Sequence, residues 1–299
     1  GNYIKKLRII NGIGDIINLS PWQENNFEKN ERFWATIGGF GLTGIIIDAT
    51  FSVIPIETSL IEEEITTYNN LENLMENMLK VNNKYKYSVA WIDSMHSKYR
   101  GILTCGNHLE LEDIQNINRK ELLSFNPKSL VKIPSFIKIN IMKRAFIKLF
   151  NELWFQKSLK KSRNRIVHLD KFFYPLDGID NWNNLYGKKG LIQYQIVIPD
   201  KNSDMIKKIL MKFSNINALS FLPVLKRLGE SNESYLSFPI SGWTLSIDLP
   251  VKNKKVEYLL KEIDQEIAEN GGRLYLAKDS RQSANTFKKT YKLLHLWKV

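Results

Sequence analysis

Residues 38–44 read GGFGLTG, and residues 45–53 continue as IIIDATFSV. Gly39, Gly41 and Gly44 stand at Gly-x-Gly-x-x-Gly spacing, the mark of a dinucleotide-binding turn in a doubly wound sheet. That mechanism needs a strand before the glycines, a helix opening at their end and an acid about 20 residues further on. Here NFEKNERFW (26–34) reads as a short helix before the glycines, and the β-branched run after them reads as a strand ended by Pro55. Asp48 comes too soon, and Glu62–Glu64 belong to another segment. The Rossmann reading fails on both sides. What remains is a helix-to-strand turn whose glycines provide positive φ or let another group approach the backbone.

Working outward, NYIKKLRIINGIGDIINL (2–19) reads as two strands joined at Asn11-Gly12. The texture changes near residue 57. LIEEEITTY (60–68), YKYSVAWID (85–93) and GILTCGNHL (101–109) read as strands, as do 191–198, 218–225, 235–240, 243–249 and RLYLA (273–277). Helices are expected at NLENLMENMLKV (70–81), 203–214, 254–269, where Gly271-Gly272 stops the helix, and 282–293. Long antiparallel-looking strands with separate helices define an α+β protein with a large antiparallel sheet flanked by helices.

The 299 residues suffice for one large or two ordinary domains, and no run of about 18 uncharged apolar residues occurs. No secretory leader pattern opens the chain. A net charge of +12 and a pI near 9.5 imply attraction to nucleic acid, phosphate or a lipid surface. Cys105 is the only cysteine, which excludes an internal disulfide and a cysteine-based zinc site. His96, His108, His168 and His295 show no metal-ligand spacing, so no metal is expected. In the basic stretch 139–165, Met142, Ala145, Phe146, Leu149, Phe150, Leu153 and Trp154 fall at helical spacing. Lys157, Lys160, Lys161, Arg163 and Arg165 follow. This is either an interfacial amphipathic helix or a core-facing helix followed by a solvated basic loop. Gln193 and Gln195, two apart in the apolar run IQYQIV, share one strand face and suit either a polar pocket wall or a solvated face.

RFWATIGGFGLTGIIIDATFSVIP (32–55) closely resembles the flavin-domain segment of FAD-dependent oxidases of the vanillyl-alcohol-oxidase type, with a PCMH-type FAD-binding domain. Six further blocks agree in order: YSVAWIDS (87–94), ELWFQKS (152–158), FYPLDGIDNWNNLYGKKGLIQYQIVIP (173–199), SFLPVLKRLG (220–229), LSFPISGWTLSIDLPVK (236–252) and GGRLYLAKDSR (271–281). Within the superfamily these blocks resemble the branch that oxidises a polyprenyl-phosphoryl ribose. The resemblance implies a partial FAD-binding domain at 1–57, a substrate-binding domain at 58–272 and a return to the FAD domain at 273–299. It also implies that the diphosphate-binding loop lies upstream of Gly1 and the family's last residues beyond Val299.

By the resemblance Lys278 is the catalytic residue, beside flavin and substrate. Gly38, Gly39, Gly41, Gly44, Ile45 and Tyr275 contact FAD; Trp91, Gln193, Gln195, Lys226, Thr244 and Ser246 line the substrate pocket, with Trp243 a further pocket candidate. A surface lysine, a core tyrosine and core tryptophans are the plain alternatives. Members of the branch carry a cysteine where this chain has Ser246, an asparagine at Thr244 and a tyrosine at Phe173, which changes the pocket's hydrogen bonding. HLWK (295–298) resembles a motif of aldonolactone oxidases at the wrong spacing and is set aside.

The expected activity is oxidation of the ribose 2′-hydroxyl of a polyprenyl-phosphoryl sugar to the 2′-keto sugar. The expected partners are that substrate and an NADH-dependent keto-reductase. The expected location is cytoplasmic with peripheral membrane contact. A flavoenzyme for a soluble sugar, alcohol or aldonolactone is the first alternative. A basic non-catalytic module binding membrane or nucleic acid is the second, although no nucleic-acid motif occurs.

Overall fold

The structure is a computed structural model that describes residues 1–23, 28–114, 122–129, 131–134, 144–159, 164–185, 190–218, 220, 222–250, 253–279 and 281–298. Strand β1 (Ile4–Ile10) turns Leu7 and Ile9 inward while Lys6 and Arg8 stay exposed. It pairs antiparallel with β2 (Ile16–Leu19) on one side and β3 (Ile45–Phe51) on the other. The β1–β2 turn spans five residues. The Asn11 side chain accepts from the N–H groups of Ile13 and Asp15, and the left-handed residue is Gly14 (φ +94°) rather than Gly12. Helix α1 (Glu31–Thr36) lays Phe33 and Trp34 on Leu7, Ile9 and Leu19. It starts later than 26–34 because Asn30 caps it, accepting from Phe33 N at 3.2 Å; residues 24–27 lie outside the described residues. β3 stops short of Pro55 because its partner begins at Ile4, opposite Phe51.

After Phe51 the chain enters a second, eight-stranded sheet. Its strands are β4 (Leu60–Tyr68), β5 (Tyr87–Ile92), β6 (Gly101–His108), β8 (Arg165–His168), β10 (Leu191–Pro199), β11 (Val224–Leu228), β12 (Gly242–Pro250) and β13 (Arg273–Leu274). Every neighbouring pair is antiparallel, in the order β13-β10-β12-β11-β5-β6-β4-β8. β7 (Val131–Lys132) and β9 (Ile179–Asp180) form a separate parallel pair.

One face of the large sheet carries the main core. Against it lie α2 (Leu71–Val81), capped by Asn70, α5 (Met205–Asn215) and α6 (Lys254–Glu269). Their buried residues recur at helical spacing, as with Leu71, Leu74 and Met78, and meet Ala90, Tyr194, Ile196, Leu225, Leu245 and Ile247 from the strands. Gly271, at φ +75°, ends α6 as expected. The opposite face carries α3 (Arg144–Leu159); α4 (Leu169–Phe173) follows β8, and α7 (Ala284–Thr290) and α8 (Leu294–Trp297) close the chain.

Several elements differ from the sequence reading. Residues 235–240 are not a strand: Arg273 takes up the carbonyls of Ser237 and Pro239 outside any ladder. The strand expected at 218–225 starts at Val224, after Pro223, which has no N–H to give a ladder. RLYLA is strand only at Arg273–Leu274, and 282–293 is broken at Tyr291, whose buried hydroxyl donates to Leu274 O at 2.6 Å. Of the two readings of 139–165, the core-facing helix is not what α3 shows. Its inward residues are Ile147, Asn151, Phe155 and Ser158, whereas the apolar stripe Phe146, Leu149, Phe150, Leu153 and Trp154 is exposed. Met142 lies outside the described residues.

Candidate functional site

Strand β10 sets the site. Tyr194, Ile196 and Ile198 enter the helix-backed core, so strand alternation turns Gln193 and Gln195 to the other face. On β12, Gln193 stands opposite Asp248 and Gln195 opposite Ser246. The same face continues through Thr244 beside Lys226, Ser246 beside Val224, and Val224 beside Trp91. The structure thus gathers Gln193, Gln195, Thr244, Ser246, Lys226 and Trp91 on one sheet face. Trp243 belongs to the opposite face. It is buried among the main-core residues beneath the Arg227 guanidinium, 4.7 Å from its ring centroid, so it does not line the pocket.

The segment after β13 folds over this face. Tyr275 N donates to Gln195 O (2.9 Å), and the Asp279 carboxylate accepts from Gln193 N (2.7 Å). Lys278 Nζ then donates to Gln193 Oε1, and Gln193 Nε2 donates to Asp248 Oδ1 at 3.0 Å. An ammonium only donates and a carboxylate only accepts, so this chain admits one orientation of the amide. Asp248 is buried. Beside it, Gln195 Nε2 donates to Thr244 Oγ1 (3.1 Å), which donates to Ile196 O (2.8 Å). Arg281 grips buried Asp264 with two hydrogen bonds of 2.9 and 2.7 Å. Tyr194 OH donates to the same carboxylate at 2.8 Å; burial, then that charge, push its hydroxyl well above its ordinary range.

A cavity of about 430 Å³ opens here. Its walls include Gln193, Gln195, Tyr275 and Lys278, together with Phe40 and Leu42 from the glycine turn and Phe287 and Trp297 from the C-terminal helices. Tyr275 packs on Phe238 with ring centroids 4.5 Å apart. The glycine turn reaches the cavity through Phe40 and Leu42. Gly39 and Gly44 serve the turn itself, because a Cβ would come within 2.3 Å of Ala35 O and 2.4 Å of Ile10 O respectively. Gly38, Gly41 and Ile45 are exposed on the same turn. Thr244 is reached only through Gln195, Ser246 is half-buried, and Lys226 is exposed farther along the face. Trp91 is buried with Ile65, Ile102 and Phe155 under α3, away from the cavity walls. Asp248, Asp279, Arg281 and Trp297 were not singled out from sequence. The period-two pattern of β12 puts Asp248 on the Gln face, but its register with Gln193 needs the sheet.

The fold is that of the vanillyl-alcohol-oxidase-type flavoproteins. A VAO-type flavoprotein of Myceliophthora thermophila superposes with a TM-score of 0.52, at 12% identity, over 99% of this chain and 54% of its own length. No family model matches the chain. In sequence the chain is a relative of decaprenylphosphoryl-beta-D-ribose oxidase of Mycolicibacterium smegmatis. The two are 33% identical over 301 residues, taking in 99% of this chain and 64% of that protein. An uncharacterised protein of Streptomyces coelicolor is 26% identical over 88% of this chain and 73% of its own length. The chain therefore spans a little under two thirds of the mycobacterial relative and about half of the fungal flavoprotein.

Proposed function

We propose that the protein is an FAD-dependent oxidoreductase that converts the 2′-hydroxyl of a polyprenyl-phosphoryl ribose to the 2′-ketone. The observation that carries this reading is the Lys278–Gln193–Asp248 chain, held at a cavity with aromatic walls, in a relative of decaprenylphosphoryl-ribose oxidase. The donor set fits a flavin ring. Tyr275, Phe40 and Leu42 offer flat or apolar walls, while Lys278 and the Gln193 and Gln195 amides offer polar contacts. When bound, FAD supplies a hydride acceptor.

This chain's residues do the rest. Lys278 Nζ uses one of its three N–H donors on Gln193, which leaves two for the sugar hydroxyl or the flavin rim. An ammonium beside the hydroxyl oxygen stabilises the negative charge that develops as the hydroxyl proton departs to solvent, charge that becomes the carbonyl bond when hydride leaves the carbon. Asp248 fixes the Gln193 amide and, through it, the lysine. Residues 1–57 and 273–299 would form the flavin side and 58–272 the substrate side. The change of sheet between Phe51 and Leu60 and the bond from Trp297 Nε1 to Ala35 O (2.9 Å) support that division. An NADH-dependent keto-reductase would then reduce the 2′-ketone, so that the two steps together invert that carbon.

The test is anaerobic bleaching of the flavin in the full-length protein, near about 450 nm, with polyprenyl-phosphoryl ribose against free sugars. Bleaching by the lipid-linked sugar alone is expected. Lys278→Ala should keep the flavin and slow bleaching by about 10² or more. A protein that stays colourless with added FAD sinks the reading, and bleaching by free sugars moves it to a soluble substrate.

A further inference from the structure

Helix α3 is mounted with its apolar stripe facing out. Phe146 is 49%, Leu149 59%, Leu153 61% and Trp154 41% exposed, and Phe150 lies parallel to Trp154 with centroids 6.3 Å apart. These side chains recur at i, i+3, i+4, i+7 and i+8, so they form one continuous strip along a helix about 24 Å long. A strip of this extent is rarely left on a soluble surface without a purpose.

The outward mounting is built in. On the inward side Asn151 Nδ2 donates to buried Asp93 Oδ1 (2.6 Å), and Arg100 bridges Asp93 (3.0 Å) and Glu152 (2.6 Å). The Arg100 guanidinium also covers the Phe155 ring at 4.2 Å. Rolling the helix to bury its stripe would break this network and leave the Asp93 carboxylate buried without the Asn151 amide.

Lys157 stands at the strip with its ammonium 5.9 Å from the Trp154 ring centroid, and the sequence that follows is basic at Lys160, Lys161 and Arg163, which lie outside the described residues. The whole chain carries +12. Apolar and aromatic side chains among cations are complementary to the interface of an anionic bilayer, with stems in the acyl region and ammonium groups at the phosphates. The helix also lies on the same sheet face as Lys278 and Gln193. Thr244, Ser246, Lys226 and Val224 make up the face between them.

We infer that the outer face of α3 docks the protein on an anionic membrane surface, at the end of the sheet face along which a lipid-linked substrate would reach the cavity. The docking surface stands on the exposure and charge of α3; its purpose rests on the proposed substrate. Among the described residues no helix is long and apolar enough to span a bilayer.

The test needs no substrate. The full-length protein is sedimented with vesicles of phosphatidylglycerol and phosphatidylcholine, and with phosphatidylcholine alone. Binding to the anionic vesicles, at least tenfold weaker in high salt and at least tenfold weaker in the double variant Leu149→Glu/Leu153→Glu, is expected. Both positions are exposed, and an unchanged melting temperature will show that the variant folds. Quenching by brominated lipid should shrink in Trp154→Phe. Absence of vesicle binding overturns the inference, as does binding that the double variant leaves intact. If the wild type is instead a dimer that the double variant splits, the face belongs to a second copy and the membrane assignment falls.

Discussion

Gly44 is constrained twice. Its φ is +144°, and a Cβ there would lie 2.4 Å from the Ile10 carbonyl oxygen where β3 leaves the glycine turn. Gly44→Ala should therefore cost about 2 kcal/mol or more of stability, read as a lower urea midpoint at unchanged slope. A midpoint equal to the parent's would mean that the turn relaxes freely. At this scale much was legible. The glycine cluster declared a helix-to-strand turn, and the paired glutamines declared a polar strand face within an apolar run. What the residues could not disclose was their partners. Gln193 reaches Asp248, 55 positions away, and Lys278, 85 positions away, through sheet register and a turn that no local pattern encodes. Trp243 was misplaced for the reason that puts Asp248 in the site: one residue along a strand exchanges the faces.

At the scale of elements, periodicity identified most helices and strands but not the direction in which a stripe faces. The inward side of α3 includes Asn151 and Ser158, polar residues that propensity alone would send to water. Their burial follows from Asp93 and Arg100, which flank the β5–β6 connection and belong to a different stretch of chain. Asn151→Ala should remove a hydrogen bond to a buried carboxylate and cost about 2 kcal/mol. Faster amide exchange confined to α3 would locate the loss, whereas unchanged stability would show that Asp93 finds another donor. The edge strand expected over RLYLA is shorter than the sequence reads for a similar reason. It is strand only at Arg273–Leu274, where Ile196 and Val197 lie open beside it.

For the whole molecule, the order of eight strands is set by long-range pairing, and sequence pattern indicated the class of sheet but not that order. The assembled core does fix a response to alkali. Burial pushes the Cys105 thiol from 9.0 up to about 12, and it raises the Tyr194 and Tyr291 hydroxyls above 10.0. In the unfolded chain these groups release their protons first, so their contribution is whole below about pH 9 and fades as pH rises through the folded values. Denaturation midpoints should hold level from pH 7 to 9 and fall steadily by pH 11; a level profile to pH 11 would contradict the burial of these groups. The same architecture joins two demands that are usually separate. Beyond Ile196, no strand among the described residues pairs with the outer rim of β10: its carbonyl at Gln195 and N–H at Gln193 are closed by Tyr275 and Asp279. The segment that presents Lys278 is thus also the seal that keeps an eight-stranded sheet from growing onto a neighbouring chain. Substitutions there will be hard to read from turnover alone, because a loosened seal removes active protein by aggregation before it alters any chemical step.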